Sequence, residues 1–371
     1  MIKTRKLEAL LKLGSWQEIA SIVNSEITPI LEKHLNFFSK HKWISQTEIF
    51  YAWIESNIIL AQSYAQQGSL TAFELINEID KILQKEKGAK IDILKVKLAF
   101  ADAMANTSRG FFDESDAILQ EIIKDYAYII DNPNIVCEWN IISLINKILR
   151  MDLETVKEDL FDATTYANNC DNEVAKNFFK TLLAFVLLKE KSYVKAIEIA
   201  TEQMQYFSSK KIAFGALLAW YISAAATAAN KADMYCIEIC EKAVKICENA
   251  QNNNYYFKVL FQELLASAYL KLNDKENAQM YCDLALESAN IQELLYLQIR
   301  LNNLKTHIAR EKLSEQPDSK KHDYAQNVIK MYNKNIDLTK KLNLKNHTKK
   351  IEKDLTSFKA HCQLNRIIED K

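Results

Sequence analysis

Residues 257–290 read FKVLFQELLASAYLKLNDKENAQMYCDLALESAN, and the fold follows from how that stretch is punctuated. Leu265, Ala266 and Tyr269 fall on one face of a first helix, and Ala278, Cys282 and Ala285 on one face of a second, at helical spacings. Between them stand Asn273 and Asp274. Asparagine accepts the left-handed conformation that ends a helix, and aspartate accepts hydrogen bonds from the free N–H groups that begin the next. Small residues at the crossing let two helix axes approach closely, while the tyrosine fills the space beside them. The stretch is a hairpin of two antiparallel helices.

Outward from it the punctuation recurs. Gly14-Ser15-Trp16, Gly68-Ser69-Leu70 and Lys191-Ser192-Tyr193 pair a terminator with a polar start signal, and each is followed by a small or apolar residue. Aligning these gives the column Ile19, Phe73, Ala117, Val156, Ala196, Cys236, Ala278 and Ala325, with spacings of 54, 44, 39, 40, 40, 42 and 47. Spacings near forty hold two helices of about four turns plus their turns. Longer breaks fall at Asn132-Pro133, Asn168 to Asn172, Asn252 to Asn254 and Ser314 to His322. Thr28-Pro29 reads as an N-cap followed by proline at the first helical position. No segment reads as a strand. The 371 residues include only 5 glycines and 3 prolines, far below the roughly 7% and 5% of ordinary chains, which argues against hairpin-rich β folds and against a Rossmann-type fold. The expectation is about sixteen helices and a last one over roughly 345–365. In that last one Ile351, Leu355, Phe358 and Cys362 form an apolar stripe, while Lys349, Lys350, Lys353 and Lys359 lie mostly elsewhere, as an end cap requires.

The pattern of a large residue, Leu-Ala, Tyr, Ala, an aromatic and Ala resembles the tetratricopeptide repeat. Trp220, Ala224, Cys236, Cys240 and Ala243 repeat it one unit earlier, and Leu183, Ala184, Ala196 and Ala200 one unit before that. The likeness is strongest from about 177 to 290. The family's unit is 34 residues, and the longer unit here is similar to the solenoids of bacterial regulators such as the Rap-type peptide receptors and the sensor arm of the maltose activator. That resemblance implies an all-α, right-handed superhelical solenoid of antiparallel helix hairpins with a C-terminal capping helix, whose concave face holds a peptide or protein. The chain divides on this reading into degenerate repeats over 1–130, central repeats over 131–312, and a last helix with a basic cap over 313–371.

The family's groove columns, carried over position by position, fall on the first helix of each hairpin. They are Asp102, Asn106 and Arg109; Phe178, Thr181, Phe185 and Lys189; Leu218, Tyr221 and Ala225; and Leu260, Glu263, Ser267 and Lys271. Apolar positions mixed with scattered polar groups suit a helix or extended peptide; the alternative is that the large side chains simply pack against neighbouring helices. The lysine and asparagine clamp for a chaperone's C-terminal carboxylate cannot be assembled at these columns.

Other chemistry is weakly signalled. Cys236, Cys240 and Cys247 share a helical face, but no Cys-x-x-Cys or nearby histidine completes a metal spacing, and free cysteine is a small buried hydrophobe. No metal or cofactor is expected, since phosphate-binding glycine motifs are absent. Arg300 and His307 lie two turns apart, which resembles the Arg/His pair of the HEPN-type ribonucleases and is the enzymatic alternative. The uncharged run 212–230 is long enough to cross a bilayer, yet its alanine and serine content fits a helix buried between two others. Charge balances at 48 against 48. The stretch 317–371 holds 13 Lys+Arg against 7 Asp+Glu, with few aromatics among them, so solvated helix faces are favoured over nucleic-acid binding. No secretory signal opens the chain, and seven cysteines within apolar helices point to a reducing, cytoplasmic compartment, with signal-independent export left open. The expected function is a binding scaffold for a protein or peptide, with a peptide-sensing regulator as the alternative.

Overall fold

A computed structural model describes residues 2–13, 15–29, 46–129, 132–231, 234–248 and 254–368; Gly14, Asn252 and Asn253 lie outside them. Helix ends here repeat one local geometry. A residue with positive φ follows the helix at Gly68, Gly110, Met151, Asp171, Lys191, Lys211, Asn273, Glu293 and Asn343. The next N–H then reaches back five residues, as in Asp274 to the Tyr269 carbonyl at 2.9 Å and Ser192 to the Leu187 carbonyl at 2.9 Å. This bond satisfies an otherwise orphaned carbonyl and turns the chain sharply. Side chains of Asn132, Asn172, Asn254 and Asp274 cap the helices that follow them.

The described residues form seventeen α-helices and no strand. They run α1 Ile2–Leu13, α2 Trp16–Ser21, α3 Gln46–Gln67, α4 Thr71–Leu83, α5 Ala89–Arg109, α6 Phe112–Asp125, α7 Pro133–Arg150, α8 Leu153–Asn169, α9 Glu173–Lys189, α10 Tyr193–Ser209, α11 Ala213–Asn230, α12 Met234–Glu248, α13 Tyr255–Lys271, α14 Lys275–Ile291, α15 Leu295–Glu311, α16 Asp318–Lys341 and α17 Lys345–Leu364. Odd-numbered helices are the first of each hairpin and even-numbered ones the second. Together they stack into a right-handed superhelix.

Every residue of the repeat column falls in a second helix. The residue that is buried one turn in is Ile19, Val156, Ala196, Cys236, Ala278 or Ala325, each at 0% exposure, but in α4 and α6 it is Ala72 and Ser115 instead of Phe73 and Ala117. Phe73 is half-buried because the Arg109 guanidinium lies over its ring at 5.0 Å. Ser115 tolerates the crossing because the buried Asn146 amide donates to its hydroxyl at 2.9 Å. Thr28 is not an N-cap: it is helical and continues α2 through the π-turn Ile22–Ile27, its N–H bonded to Val23 O. Pro29, which has no N–H to give, follows that widened turn.

Ile351, Leu355, Phe358 and Cys362 are buried against α16 and Lys349, Lys350, Lys353 and Lys359 are exposed, which makes α17 the cap. Among the described residues α11 is the helix long and apolar enough to cross a membrane, and 56% of its apolar window is buried in the protein.

The superhelix is tightly wound. Besides its neighbours, α3 touches α13, α5 touches α15 and α7 touches α17, each contact ten helices along the chain, and α1 touches α11. Five hairpins therefore make one turn, and successive turns meet along a seam. At the α3–α4 bend the Asn254 amide donates to the Gln66 carbonyl at 3.0 Å, and the Leu70 N–H to Gln292 at 3.2 Å. The α5–α6 bend contributes an Arg109–Glu293 ion pair and an edge-to-face contact of Phe112 with Tyr296 at 5.3 Å. From the α7–α8 bend, the Leu149 carbonyl accepts from Tyr296 Oη at 3.2 Å and from His347 Nε2 at 2.8 Å. The bends at Gly68 and Gly110 press close against the next turn. A Cβ on Gly110 would stand 2.6 Å from the Tyr296 Cβ, and one on Gly68 3.1 Å from the Tyr256 Cβ.

Candidate functional site

First helices face the superhelical axis, and seven of them converge on one small cavity. Gln66 of α3, Met104 of α5, Leu149 of α7, Phe185 of α9, Leu218 of α11, Leu260 of α13 and Arg300 of α15 all line it. Its volume is about 50 Å³, enough for a few water molecules and far short of a peptide. The axis is filled by the protein's own side chains because the seam draws α3, α5 and α7 onto α13, α15 and α17.

One charged cluster borders the cavity. Arg300 Nη2 lies 2.8 Å from Glu263 Oε2 and donates to Tyr221 Oη at 2.8 Å, while Nε donates to Glu263 Oε1 at 3.1 Å. The third nitrogen, Nη1, is buried and meets no hydrogen-bond acceptor among the described residues. Desolvation is the largest single influence and opposes the guanidinium charge, but Glu263, Tyr221 and Tyr296 together outweigh it and hold Arg300 well above its usual value. Lys189, at the end of α9, lies over the Phe185 ring at 5.1 Å. Desolvation, reinforced by Arg300, lowers Lys189 to about 7. Glu138 on α7 moves the other way, raised to about 7 by desolvation against the attraction of Lys97.

His347, at the start of α17, is lowered to about 4, first by burial and then by the cations Lys189, Arg300 and Lys350, against the pull of the Leu149 carbonyl. Its Nε2 bond to that carbonyl suits the neutral ring. Between pH 6.5 and about 4 the unfolded chain binds a proton that the folded chain refuses, so stability is full above that window and falls as the pH drops through it. The ceiling is about 3 kcal/mol from the size of the shift. Urea midpoints at pH 7 and pH 4.5 check this: His347→Gln, which keeps a donor for Leu149 without titrating, should lose less on acidification than the wild type, and equal losses would refute a buried neutral ring.

The groove columns read from the sequence divide. Phe185, Leu218, Tyr221 and Leu260 meet at the cavity, with Glu263 and Lys189 beside it. Asp102 instead borders a recess among α4, α5 and α6 with Asp80, Glu121 and Asp125; burial raises its carboxyl, an Asn106 hydrogen bond opposes that, and Asp80 adds to it. Asn106 donates to Asp102 at 2.8 Å, and Arg109 belongs to the seam. Phe178 packs on Phe207 with ring centres 4.6 Å apart. Thr181 is fully buried and bonded to the Asn177 carbonyl, Ala225 is buried, Ser267 is half-buried, and exposed Lys271 donates to the Ala228 carbonyl at the end of α11. Arg300 and His307 do not share a site, since His307 faces Asp354 of α17 at 3.8 Å and the Tyr332 ring of α16. Cys236, Cys240, Cys247 and Cys282 are buried, and burial pushes the Cys247 and Cys282 thiols up to about 12.

This arrangement, an all-helical coil with its first helices wrapped about a common axis, has a counterpart among solved structures. The crystal structure of a Rap protein complexed with competence and sporulation factor superimposes with a TM-score of 0.56, covering 95% of this chain and 99% of that one. The chain folds like a Rap protein. Sequence identity is 13%, so the likeness is one of fold. No protein-family model matches the chain, and neither does any curated protein.

Proposed function

We propose that the chain is a binding scaffold without catalysis of its own, whose inner layer of first helices takes a peptide or a segment of another protein. The observation that carries this is the convergence of seven helices, one side chain from each, on a single axial cavity rimmed by charge. A solenoid gains a continuous lining only where repeats align, and apolar pockets beside fixed polar groups are what a peptide's anchors require. The fold shared with a Rap protein solved with competence and sporulation factor supports a sensing role, in which the ligand changes the pitch of the coil. Because the cavity has room for no more than a few water molecules in the wound state, a ligand that occupies the axis must separate the turns along the seam. Binding and winding are then linked, and a ligand shifts the balance only by its preference for one pitch.

A photo-crosslinking residue placed at Leu218, on the axis, tests the reading against the same residue at Phe161, which is 71% exposed on α8. Irradiation in the source cells followed by mass spectrometry should yield a discrete peptide or protein adduct from position 218 and none, or a different set, from 161. Identical adducts from both positions would overturn it.

A further inference from the structure

The terminal unit holds a second recess that shares no residue with the axial cavity, of about 940 Å³ against about 50 Å³ at the axis. That is the size of sites that hold small molecules. Three pieces of chain wall it: the end of α15 with the short turn Lys312–Glu315, the first turns of α16, and the last turns of α17 with residues 365–368 behind them. The third wall is built by the device that makes the bends. Arg366 has φ of 54°, and the Ile367 N–H reaches back to the Cys362 carbonyl at 2.8 Å. Elsewhere this geometry launches the next helix, whereas here it lays residues 367 and 368 along the recess. His322 Nδ1 of α16 then donates to the Ile367 carbonyl at 3.0 Å, which ties the wall to α16. The recess is preformed.

Its charge is uneven. Arg310, Lys321 and Arg366 line it with His322 and His361, and the acids on the same walls are Glu311 and Asp318. Asp318 is taken up by Lys321 at 2.6 Å, and that ammonium holds its carboxyl below the usual range. Glu311 stands 3.9 Å from Arg310, at the outer limit of an ion pair. Among the described residues the Arg366 guanidinium has no ion pair or hydrogen bond. At Pro317 the helix α16 begins beside the recess, and no side chain caps its first N–H groups. Arginines and an uncapped helix start are donors of the kind that phosphate takes. Opposite in character are Leu313 and Phe358, both buried, and half-buried Ile367, which give the recess an apolar side.

We infer that this recess is a binding site for a small phosphate ester, separate from the axis and independent of the scaffold reading above. The phosphate oxygens accept from the Arg310 and Arg366 guanidiniums, whose forked donors meet two oxygens at a time. The Nδ1 bond of His322 leaves Nε2 unspent, and it adds a further donor once the ring is protonated. The organic part of the ester rests on Leu313, Phe358 and Ile367. A carboxylate, with one charge and two oxygens, engages fewer of these donors.

Calorimetric titration of the intact chain at pH 7 and physiological salt tests it with three probes: inorganic phosphate, phenyl phosphate and benzoate. Phenyl phosphate should bind about tenfold more tightly than inorganic phosphate, the gain from burying part of a phenyl ring, and more tightly than benzoate. Arg366→Gln and Arg310→Gln should each weaken phenyl phosphate by about tenfold. Ile367→Ser should remove the advantage of phenyl phosphate and leave inorganic phosphate as it was. Lys353→Gln, an equal loss of charge on an exposed position of α17 outside the recess, should change nothing. Circular dichroism and melting establish that each variant folds, and exposed Arg366 answers for Arg310 if the latter's variant does not. Failure of the wild type to bind phenyl phosphate overturns the inference, as does binding no tighter than that of inorganic phosphate or benzoate. Equal weakening by Arg366→Gln and Lys353→Gln would reveal a diffuse effect of charge and overturn it too. The axial scaffold is judged separately, by its own crosslink.

Discussion

Gly110→Ala is expected to destabilise the wound coil by about 2–5 kcal/mol, the sum of backbone strain and a forced contact. The residue has φ of 96°, where a Cβ is unwelcome, and the added methyl would meet the Tyr296 Cβ at 2.6 Å with the Tyr296 backbone behind it at 3.2 Å. Neither side yields cheaply, because Tyr296 is fully buried, packed edge-on against Phe112 and hydrogen-bonded to the Leu149 carbonyl. Gly88 is the control. Its φ of 130° carries comparable strain, but nothing lies within 4 Å of a Cβ there. Urea unfolding should show Gly110→Ala losing clearly more than Gly88→Ala, and small-angle scattering should show the former with a larger radius of gyration. Matching losses and an unchanged radius would mean that the seam does not hold the coil wound.

Arg300→Met should cost about 3–5 kcal/mol, because it strands Glu263 as a buried charge without a partner. Glu263 is 9% exposed and its carboxylate takes two nitrogens of Arg300 at 2.8 and 3.1 Å. Tyr221 Oη loses its donor in the same substitution. Replacing both partners, Arg300→Met with Glu263→Leu, should recover most of the loss, since the desolvation of two charges disappears along with their attraction. Thermal or urea denaturation of the two single variants and the double variant closes the cycle. Additive losses, with no recovery in the double variant, would show that the two side chains do not act as a pair.

The hairpins were legible in the sequence because their causes are local. Asn273 and Asp274 announce a turn by their own chemistry, and the alanine and cysteine column announces a close crossing one helical turn later. In α4 and α6 the column slipped by one and two positions, since Phe73 and Ala117 sit beside the buried Ala72 and Ser115 and nothing nearby in sequence distinguishes them. The seam left a fainter trace. Among the described bends most place Lys, Asp, Asn, Met or Glu at the left-handed position, while Gly68 and Gly110 use glycine. Those two bends are pressed against Tyr256 and Tyr296, so glycine marks a close approach as well as a turn. Its partners lie ten helices away, beyond any local pattern.

The site was legible in the same uneven way. Phe185, Leu218 and Tyr221 follow from the family's columns and stand on the axis. On α5 the cavity takes Met104, Thr107 and Ser108, on the face beside that of Asp102, Asn106 and Arg109. Arg300 stood out in the sequence for its distance from His307, whereas its structural partners Glu263 and Tyr221 lie 37 and 79 residues upstream.

The seam also changes how such a chain is made. In an open repeat array each unit rests on the one just synthesised, and stability accrues link by link. Here Gln66 bonds Asn254 across 188 residues and Leu149 bonds His347 across 198. The early bends leave the ribosome long before the surfaces that shield them exist, and they wait in water until the far half arrives. Contacts so distant along the chain slow folding and bind the two ends into one cooperative body, so that this solenoid is finished by a closure and not by growth.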